Sequence, residues 1–231
     1  MDVAASGLGR VYCRELAAAG WSVVGADVNE AREAVALAVV TDVGSVQSTE
    51  RMAEATLERF GRIDALVNNA AVYSSIVKGP FEEIPPEEWD HVFRVNVRGA
   101  WLCSRAVAPA MRRQGRGKIV NVSSMTVPTA PPGFAHYIAS KAAIVGLTRA
   151  LARELGSDGI CVNTLTPDYI AFDRDYDNRQ PEMAPTLAAQ RAFPRQQVPE
   201  DMIGTLLYLI GEGSDFVTGQ NVWVNGGRAF S

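Results

Sequence analysis

Short apolar runs alternate with helix-like segments along almost the whole chain. The runs are continuous and rich in Val, Ile and Leu, as in parallel strands that are covered on both faces. They occupy residues 21–26, 37–40, 63–67, 119–122, 160–164 and 221–224, and helical periodicity is clearest in 46–60, 87–113, 135–155 and 200–210. This alternation predicts an α/β fold, a doubly wound Rossmann-type parallel sheet flanked by helices.

Length and composition favour a single globular domain over residues 1–231, because 47% of the residues are hydrophobic and 21% are charged. The net charge of −4 offers no electrostatic basis for binding nucleic acid or an acidic membrane, so we expect neither as a partner. One irregular stretch, from about 168 to 198, is rich in Asp, Arg and Pro. A stretch this long inside a domain is typical of a substrate loop, and a disordered excursion is the alternative.

The three cysteines, Cys13, Cys103 and Cys161, lie far apart and in no metal-ligand spacing. This pattern favours a reducing compartment, and it gives no reason to expect a metal site. No apolar run is long enough to cross a bilayer, and no signal peptide precedes the chain. We therefore predict a cytoplasmic protein without a membrane partner.

Tyr137 and Lys141 are four residues apart in a predicted helix, which places them on one face. A free tyrosine has a pKa near ~10, and an adjacent ammonium group lowers it, so the pair suits general acid/base chemistry. Ser124 lies thirteen residues earlier at the exit of a strand, where its hydroxyl can bind the same substrate oxygen. Taken alone, the pair also fits a half-buried tyrosine beside a solvated lysine.

Ligands of doubly wound sheets bind beyond the carboxyl ends of the strands, and several polar or small residues fall there. They are Gly7, Gly9, Asp27, Asp42, Asn69, Ser124 and Pro167. Glycines at a helix start let backbone N–H groups approach a phosphate. Asp27 is placed to accept a hydrogen bond from a ribose hydroxyl and to repel a 2′-phosphate, so it favours NAD over NADP, although a capping role is the alternative. Asn96 lies on an apolar helix face, where a buried amide needs partners.

These features together resemble the short-chain dehydrogenase/reductase family over nearly the whole chain. The matching positions are Ser-Gly-Leu-Gly at 6–9, Asp27, Asp42-Val43, Asn-Asn-Ala-Ala at 68–71, Asn96, Ser124, Tyr137-x-x-x-Lys141, Thr218-Gly219-Gln220 and Gly226-Gly227. Their order and spacing are those of the family. The resemblance implies an oxidoreductase that transfers a hydride between NAD and a secondary alcohol or ketone, NADP being the less favoured cofactor.

The resemblance also assigns roles to residues. It implies a catalytic set of Asn96, Ser124, Tyr137 and Lys141, in which Tyr137 is the general acid/base and Ser124 and Tyr137 contact the substrate. The implied cofactor contacts are Ser6, Gly7, Leu8, Gly9, Asp27, Asp42, Val43, Asn69, Ala70, Ala71, Tyr137, Lys141, Pro167 and Ile170. Pairing through the helices after Glu87 and Ala135 and through the last strand implies a homo-oligomer, most simply a tetramer.

Several positions depart from the family pattern. Val3 stands where the family has its first glycine, and too few residues precede it to form the family's central first strand. We therefore expect a sheet that lacks this strand, a hole in the core, weak NAD binding and marginal stability, unless the chain begins upstream of Met1. Asp168 stands where the family has glycine, and Phe172 stands where it often has a threonine against the nicotinamide carboxamide, so weaker nicotinamide binding is expected.

Two alternatives follow from these departures. The first is a cofactor-impaired or inactive family member that acts as a binding or interaction protein. The second is an activity like that of a 3-oxoacyl reductase, which Asp27 and Asp158 disfavour because such reductases commonly use NADP and carry a basic residue at the second position.

Overall fold

The computed structural model describes residues 7–29, 35–170 and 183–230. In chain order the elements are α1 (Gly7–Ala18), β1 (Val24–Asp27), β2 (Leu37–Val40), α2 (Val46–Phe60), β3 (Ala65–Asn68), α3 (Pro86–Phe93), α4 (Gly99–Gln114), β4 (Gly117–Val122), α5 (Thr126–Thr129), α6 (Ala135–Leu155), β5 (Ile160–Pro167), α7 (Met183–Ala189), α8 (Ile203–Ile210) and β6 (Asn221–Val224). A π-helical turn, Arg94–Arg98, joins α3 to α4. The predicted alternation of strands and helices is confirmed.

All described strands run parallel, but they form two sheets instead of one. Four strands follow the order β3-β4-β5-β6, whereas β1 pairs with β2 in a separate ladder. The α/β class and the parallel strands are confirmed. A continuous sheet is not observed in residues 7–29, 35–170 and 183–230, because no described strand joins β1 to β3.

A cavity of about 500 Å³ lies at this break in the sheet. Its walls come from α1, β1, α2 and β3, and most of them are apolar. The wall residues include Tyr12, Cys13, Leu16, Val24, Ala26, Met52, Phe60, Ala65, Leu66 and Val67. The predicted hole in the core is therefore present, and it lies between the two ladders.

The edge of β1 that faces this cavity is fixed by the alternation of the backbone. The carbonyl oxygens of Val23 and Asp27 turn toward β2, where they accept hydrogen bonds of 2.8 and 2.7 Å. Because successive residues of a strand turn their backbone groups to opposite edges, Val24 and Ala26 turn theirs toward the cavity. Both residues line it.

The edge of β3 repeats this arrangement on the other side of the cavity. The carbonyl oxygen of Asp64 accepts a 3.0 Å hydrogen bond from the amide of Lys118 in β4. Ala65 and Val67 therefore turn their backbone groups away from β4 and toward the cavity, which both line. The two facing edges are those that a strand between β1 and β3 would pair with.

The apolar core forms two layers, one on each face of the four-stranded sheet. Ile119 of β4 belongs to the layer that contains Met52 of α2 and Met111 of α4. The next residue, Val120, belongs to the opposite layer with Leu16 of α1 and Leu206 of α8. Alternate residues of one strand thus serve opposite layers, as the continuous apolar runs predict.

Local capping explains where the observed element boundaries match the predicted ones and where they differ. Helix α2 begins after Ser45, whose side chain accepts a hydrogen bond from the Ser48 amide, and ends at Gly61 with a φ of 74°. The predicted strand at 21–26 begins later, at Val24. The reason is that the Trp21 amide is hydrogen-bonded to the Leu16 carbonyl at 3.0 Å and so closes helix α1.

No helix in the described ranges combines the length and apolar character that a bilayer span requires. The same ranges contain no cluster of three or more His, Cys, Asp or Glu side chains arranged to hold a metal ion. Cys13, Cys103 and Cys161 are free thiols and are buried.

Candidate active site

A second cavity, of about 290 Å³, lies at the carboxyl ends of β3, β4 and β5. It brings together residues that the sequence analysis assigned separately to catalysis and to cofactor binding. These are Leu8, Asn69, Ala71, Ser124, Tyr137, Lys141, Pro167 and Ile170. This is the edge at which ligands of parallel α/β sheets bind.

Tyr137 and Lys141 share one face of α6, as their spacing predicts. Both are buried, with 6% and 3% of their surface exposed. The Lys141 Nζ donates a 2.8 Å hydrogen bond to the carbonyl oxygen of Val122 and lies 5.8 Å from the centroid of the Tyr137 ring. Burial lowers the pKa of Lys141 to about 8, so the ammonium form still predominates at neutral pH.

The pKa of Tyr137 differs in direction from the sequence-based expectation. Burial raises it above its ordinary value and the nearby Tyr73 adds to the rise, whereas a hydrogen bond with Ser124 opposes it. Lys141 was expected to lower this pKa, but removal of the phenol from water outweighs any such effect. The phenol is therefore neutral at pH 7 and suited to donate a proton.

Ser124 follows β4 and is oriented by its neighbour Thr126. Its Oγ accepts hydrogen bonds from the Thr126 amide at 3.2 Å and from the Thr126 hydroxyl at 3.0 Å. Both bonds use acceptor capacity, so the Ser124 hydrogen is left for the Tyr137 oxygen or for a substrate oxygen beside it. The preceding Ser123 donates instead to the Lys141 carbonyl oxygen at 2.9 Å, so its hydroxyl hydrogen is already used by the backbone of α6.

Asn96 lies in the π-helical turn and is 2% exposed. Its Oδ1 accepts from the Val72 amide at 2.7 Å, and its Nδ2 donates to Ser140 Oγ at 3.0 Å. The Ser140 hydroxyl in turn donates to the Tyr137 carbonyl oxygen at 2.7 Å. Asn96 therefore ties the segment after β3 to the helix that carries Tyr137, and this contact explains why a buried amide lies there.

A buried chain of polar side chains, which the sequence analysis missed, runs beneath the site. Asn68 Nδ2 donates to Asn121 Oδ1 at 2.8 Å, and Asn121 Nδ2 donates to Thr148 Oγ1 at 2.9 Å. Thr148 Oγ1 also accepts from the Thr164 hydroxyl at 2.8 Å. These bonds link β3, β4, α6 and β5. The sequence signal that could have revealed this chain was the presence of Asn68, Asn121 and Thr164 inside apolar strands.

The residues expected to contact phosphate and ribose lie on α1 and at the end of β1. Gly7 is buried with a φ of 50°, a backbone conformation that favours glycine, and Gly9 is buried two positions further on. Asp27 ends β1 and is fully buried, and its Oδ1 accepts a 2.8 Å hydrogen bond from the Asn29 amide. Ser6, Val3 and Phe172 lie outside the described residues.

The expected adenine contacts are held by the π-helical turn and by α4. The Asp42 carboxylate accepts from the Gly44 amide at 2.8 Å and pairs with Arg94 at 3.0 Å. Although partial burial alone would raise its pKa, these bonds hold the pKa of Asp42 below the ordinary value. Val43 is buried against Gly99, where an added Cβ would lie 2.7 Å from the valine side chain. Ala70 packs against the neighbouring core layer.

These residues fit a nicotinamide dinucleotide. The glycines of α1 and the carboxylate of Asp27 match the phosphate and ribose chemistry that the sequence predicts. Leu8, Ile170 and Lys141 line the same cavity as Tyr137, so the residues expected to contact the cofactor adjoin the residue expected to contact the substrate oxygen.

Asp168 forms a buried ion cluster that the sequence analysis did not anticipate. Its Oδ2 accepts from Arg191 Nε and Nη2 at 2.9 and 2.8 Å, and its Oδ1 accepts from Arg228 Nη1 at 2.7 Å. The three residues are 23 and 60 positions apart along the chain, so no local pattern marks them. Tyr73, whose ring centroid lies 5.1 Å from that of Tyr137, was also missed, although it closely follows the Asn-Asn-Ala-Ala motif.

Comparison with known proteins supports the same assignment. Residues 3–229 match the family model described as Enoyl-(Acyl carrier protein) reductase. The 3-oxoacyl-(acyl-carrier-protein) reductase FabG of Staphylococcus aureus is 33% identical over 236 residues, covering 97% of this chain and 94% of the relative. Subunit BbsD of a hydroxy(phenyl)methylsuccinyl-CoA dehydrogenase from Thauera aromatica is 34% identical with 97% and 93% coverage.

A solved structure agrees in fold as well as in sequence. It is a gluconate 5-dehydrogenase from Burkholderia cenocepacia in complex with NADP and tartrate, with a TM-score of 0.87 and 30% identity. The likeness covers 96% of this chain and 91% of that one. The shared fold, the matched length and the arrangement of Ser124, Tyr137 and Lys141 place the chain in the short-chain dehydrogenase/reductase family.

Proposed function

We propose that the protein is an NAD-dependent oxidoreductase that interconverts a small secondary alcohol and its ketone. The observation that carries this proposal is the single cavity in which Ser124, Tyr137 and Lys141 meet. Membership of the family supports hydride transfer between a nicotinamide cofactor and a CH–OH group. The cofactor, when bound, supplies or accepts the hydride.

The residues of the chain handle the proton and the substrate oxygen. In the reducing direction, the neutral Tyr137 phenol donates its proton to the carbonyl oxygen as that oxygen gains charge. Ser124 donates a hydrogen bond to the same oxygen, because its own acceptor sites are engaged by Thr126. Lys141 presents an ammonium group beside the phenol and stabilises the negative charge that remains on it.

The preference for NAD rests on Asp27. A buried carboxylate at the end of β1 disfavours a 2′-phosphate, whereas the NADP in the related gluconate 5-dehydrogenase favours the opposite choice. Titration of the purified protein with NADH and NADPH decides between them. We expect NADH to bind about 10²-fold more tightly, and equal or tighter binding of NADPH would reject the preference.

A 3-oxoacyl reductase activity is the second candidate, because the FabG relative carries that name. This reaction needs a surface that receives an acidic carrier protein. Asp158, which disfavours such a surface, pairs with Arg112 at 2.7 Å and so also neutralises a neighbouring positive charge. Turnover of an acyl-carrier-protein thioester, measured beside the free ketones, tests this candidate.

We also propose one domain over residues 1–231 with a substrate loop near 168–198, a cytoplasmic location and a homotetramer. The free buried thiols support a reducing compartment.

Trp101 on α4 is 43% exposed and so is available for subunit contacts, but Ala110, expected on the same apolar face, is 3% exposed and belongs to the core. Light scattering tests the assembly, and a monomeric mass would reject it.

A substrate screen tests the proposed reaction itself. The protein is incubated with NADH or NADPH and a panel of small ketones, and with NAD or NADP and the matching secondary alcohols. Absorbance of the reduced cofactor reports turnover. A chain that binds no cofactor and turns over no member of the panel would favour the interaction-protein alternative.

A further inference from the structure

Two arginines share the single carboxylate of Asp168, so the cluster carries a net positive charge. The side chains of Asp168 and Arg191 are 1% and 3% exposed, whereas that of Arg228 is 16% exposed. One carboxylate neutralises one guanidinium, and the second guanidinium is left in excess. The excess charge lies at the edge of the active-site cavity, because both Asp168 and Arg228 line that cavity.

The two arginines differ in how completely their donors are used. Arg191 donates to Asp168, to the Tyr169 carbonyl oxygen at 2.9 Å and to the Arg195 carbonyl oxygen at 2.8 Å, so it is enclosed by acceptors. Arg228 donates from Nη1 to Asp168 and from Nε to Gln190 at 3.1 Å. Among the residues that the structure describes, its Nη2 has no acceptor. Arg228 therefore keeps a charged donor for a ligand.

The position of Arg228 is fixed by a tight turn after β6. The Asn225 side chain accepts from the Gly227 amide at 2.9 Å and donates to the Ala229 carbonyl oxygen at 2.8 Å. A Cβ added to Gly227 would lie 2.7 Å from Ala192, so this turn packs closely on the segment that carries Arg191. A guanidinium held in this way loses little freedom when it binds a ligand.

The remaining charges of the cavity also favour an anion. Its described lining contains three cations, Lys78, Lys141 and Arg228, and one carboxylate, Asp168, which is already shared by two guanidinium groups. A volume of about 290 Å³ limits the ligand to a small molecule. A planar guanidinium matches a carboxylate in both charge and geometry.

We propose that the substrate is a small oxo or hydroxy acid whose carboxylate binds Arg228 while its carbonyl or hydroxyl oxygen lies at Ser124 and Tyr137. This assignment rests on the proposed oxidoreductase function and adds the substrate class to it. Arg228 acts as a substrate-binding residue that selects acids over neutral ketones, and Arg191 holds Asp168 in place for it.

The test compares each acid with its own amide, which has a similar shape and no charge. The probes are acetoacetate with acetoacetamide and levulinate with levulinamide, each reduced with whichever nicotinamide cofactor supports turnover. We expect kcat/KM to favour the acid of at least one pair by about tenfold or more, as for a charge-assisted hydrogen bond. In Arg228→Gln this ratio falls toward one through a higher KM for the acid, and Arg228→Lys retains most of it.

A charge-matched control variant shows whether a change in the acid-to-amide ratio is specific to Arg228. Arg112→Gln removes the same charge from an exposed pair with Asp158 and leaves the ratio unchanged. Equal losses for acid and amide in Arg228→Gln, or a change only in cofactor affinity, would overturn the assignment and make Arg228 a structural or cofactor contact. Wild-type protein that reduces the amides as well as the acids would overturn it too, while the oxidoreductase function stands.

Binding gives a second readout. If the wild-type protein reduces none of the probes, the proposed function is in question for this class of compound. The melting temperature in the presence of cofactor is then measured with levulinate and with levulinamide. A larger rise with levulinate that is absent in Arg228→Gln supports the anion site, and equal shifts in the wild type reject it.

Discussion

The part of the molecule expected to perform the chemistry and the part expected to hold the dinucleotide differ in the continuity of their sheets. The catalytic half, β3 to β6 with α6, is one continuous four-stranded sheet whose ladders contain four, six and four residue pairs. The dinucleotide half, α1 with β1 and β2, has a ladder of four residue pairs and is separated from the rest of the sheet by a cavity of about 500 Å³.

Buried polar side chains link several elements in the catalytic half, and both halves also contain buried polar atoms without a partner among the described residues. In the catalytic half, the Asn68, Asn121, Thr148 and Thr164 side chains hydrogen-bond one another across four elements. The Tyr12 hydroxyl of the dinucleotide half is buried beside the cavity and has no hydrogen-bond partner among the described residues, and the same holds for His136 Nδ1 and Trp223 Nε1 in the catalytic half. The comparison teaches that Ser124, Tyr137 and Lys141 lie on the continuous part of the sheet, whereas the residues expected to contact phosphate and ribose lie beside the cavity that interrupts it.

The largest expected effect separates the two halves by function. Tyr137→Phe removes the proton donor and keeps the packing of the ring, so we expect kcat/KM to fall by about 10²–10⁴ while cofactor affinity changes little. Steady-state kinetics and a fluorescence titration of the reduced cofactor measure the two quantities. Tyr208→Phe, at a site that is 47% exposed, is the control with no expected effect. A Tyr137→Phe protein that kept more than about a tenth of the activity would remove Tyr137 from the mechanism.

The second effect concerns the gap between β1 and β3. An apolar extended segment of about six residues, joined ahead of residue 1, is expected to pair with both facing edges and raise the melting temperature. Each added hydrogen bond contributes about 0.5–1.5 kcal/mol and apolar burial adds more, so the gain is several kcal/mol, or roughly 10 °C or more. Cofactor binding becomes tighter in parallel.

The control for this extension carries proline at its two central positions, which cannot donate to a ladder. Equal melting temperatures for the two extended proteins would show that the segment does not enter the sheet. Ordinary cooperative melting of the 231-residue chain together with micromolar NAD binding would contradict the expectation of a weak dinucleotide half.

The third effect tests the polar chain of the catalytic half. Thr148→Val preserves shape but removes the acceptor shared by Asn121 Nδ2 and the Thr164 hydroxyl. Leaving two buried donors without a partner is expected to cost about 2–4 kcal/mol of unfolding free energy in urea titrations. Thr56→Val is the matched control, because its hydroxyl donates to the Met52 carbonyl of its own helix. Similar losses of unfolding free energy in both variants would show that the hydrogen-bonded side chains from Asn68 to Thr164 do not stabilise the fold more than a local hydrogen bond does.

The fourth effect follows from the buried ammonium of Lys141. Burial lowers its pKa to about 8, below the value of ~10.4 in an unfolded chain, so the unfolded state binds more protons between these pH values. The charged lysine therefore destabilises the fold at neutral pH, and this cost is relieved as pH rises through that window. Lys141→Met removes the cost, so the variant gains stability relative to the wild type at about pH 7.

This gain should shrink by about 2 kcal/mol when the comparison is repeated at about pH 9.5. The wild type and the variant are compared because burial raises the pKa of Cys13 to about 11 and that of Cys103 to about 12, and both thiols oppose the trend equally in the two proteins. Lys78→Met, which removes a lysine charge from an exposed position, is measured beside it as the control. A constant difference for Lys141→Met would contradict the lowered pKa.

Local signals were sufficient to predict much of the fold. Helices α2 and α6 and strand β6 have the predicted limits, because periodicity, caps and apolar runs act over neighbouring residues. The expected break in the sheet followed from the position of Val3 in the glycine motif. The pairing of Tyr137 with Lys141 followed from helical spacing.

The remaining features depend on contacts between distant residues. The spacing of Tyr137 and Lys141 does not reveal that both are buried, and burial decides the direction of both pKa shifts. The cluster of Asp168, Arg191 and Arg228 forms only when the segments after β5, α7 and β6 meet. The π-helical turn at Asn96 likewise requires the Val72 backbone and Ser140, which lie far from it along the chain.

The smallest expected effect concerns the buried Tyr12 hydroxyl of the dinucleotide half. Burial raises the pKa of Tyr12 above its ordinary value, and its hydroxyl makes no hydrogen bond in the described part of the chain. Tyr12→Phe therefore removes a polar group that water alone satisfied before folding, and we expect a gain of up to about 1 kcal/mol in unfolding free energy. This sign is opposite to that of Thr148→Val, although each change deletes one buried hydroxyl. A loss of stability in Tyr12→Phe would mean that the hydroxyl has a hydrogen-bond partner in the cavity, which would contradict the expected gain.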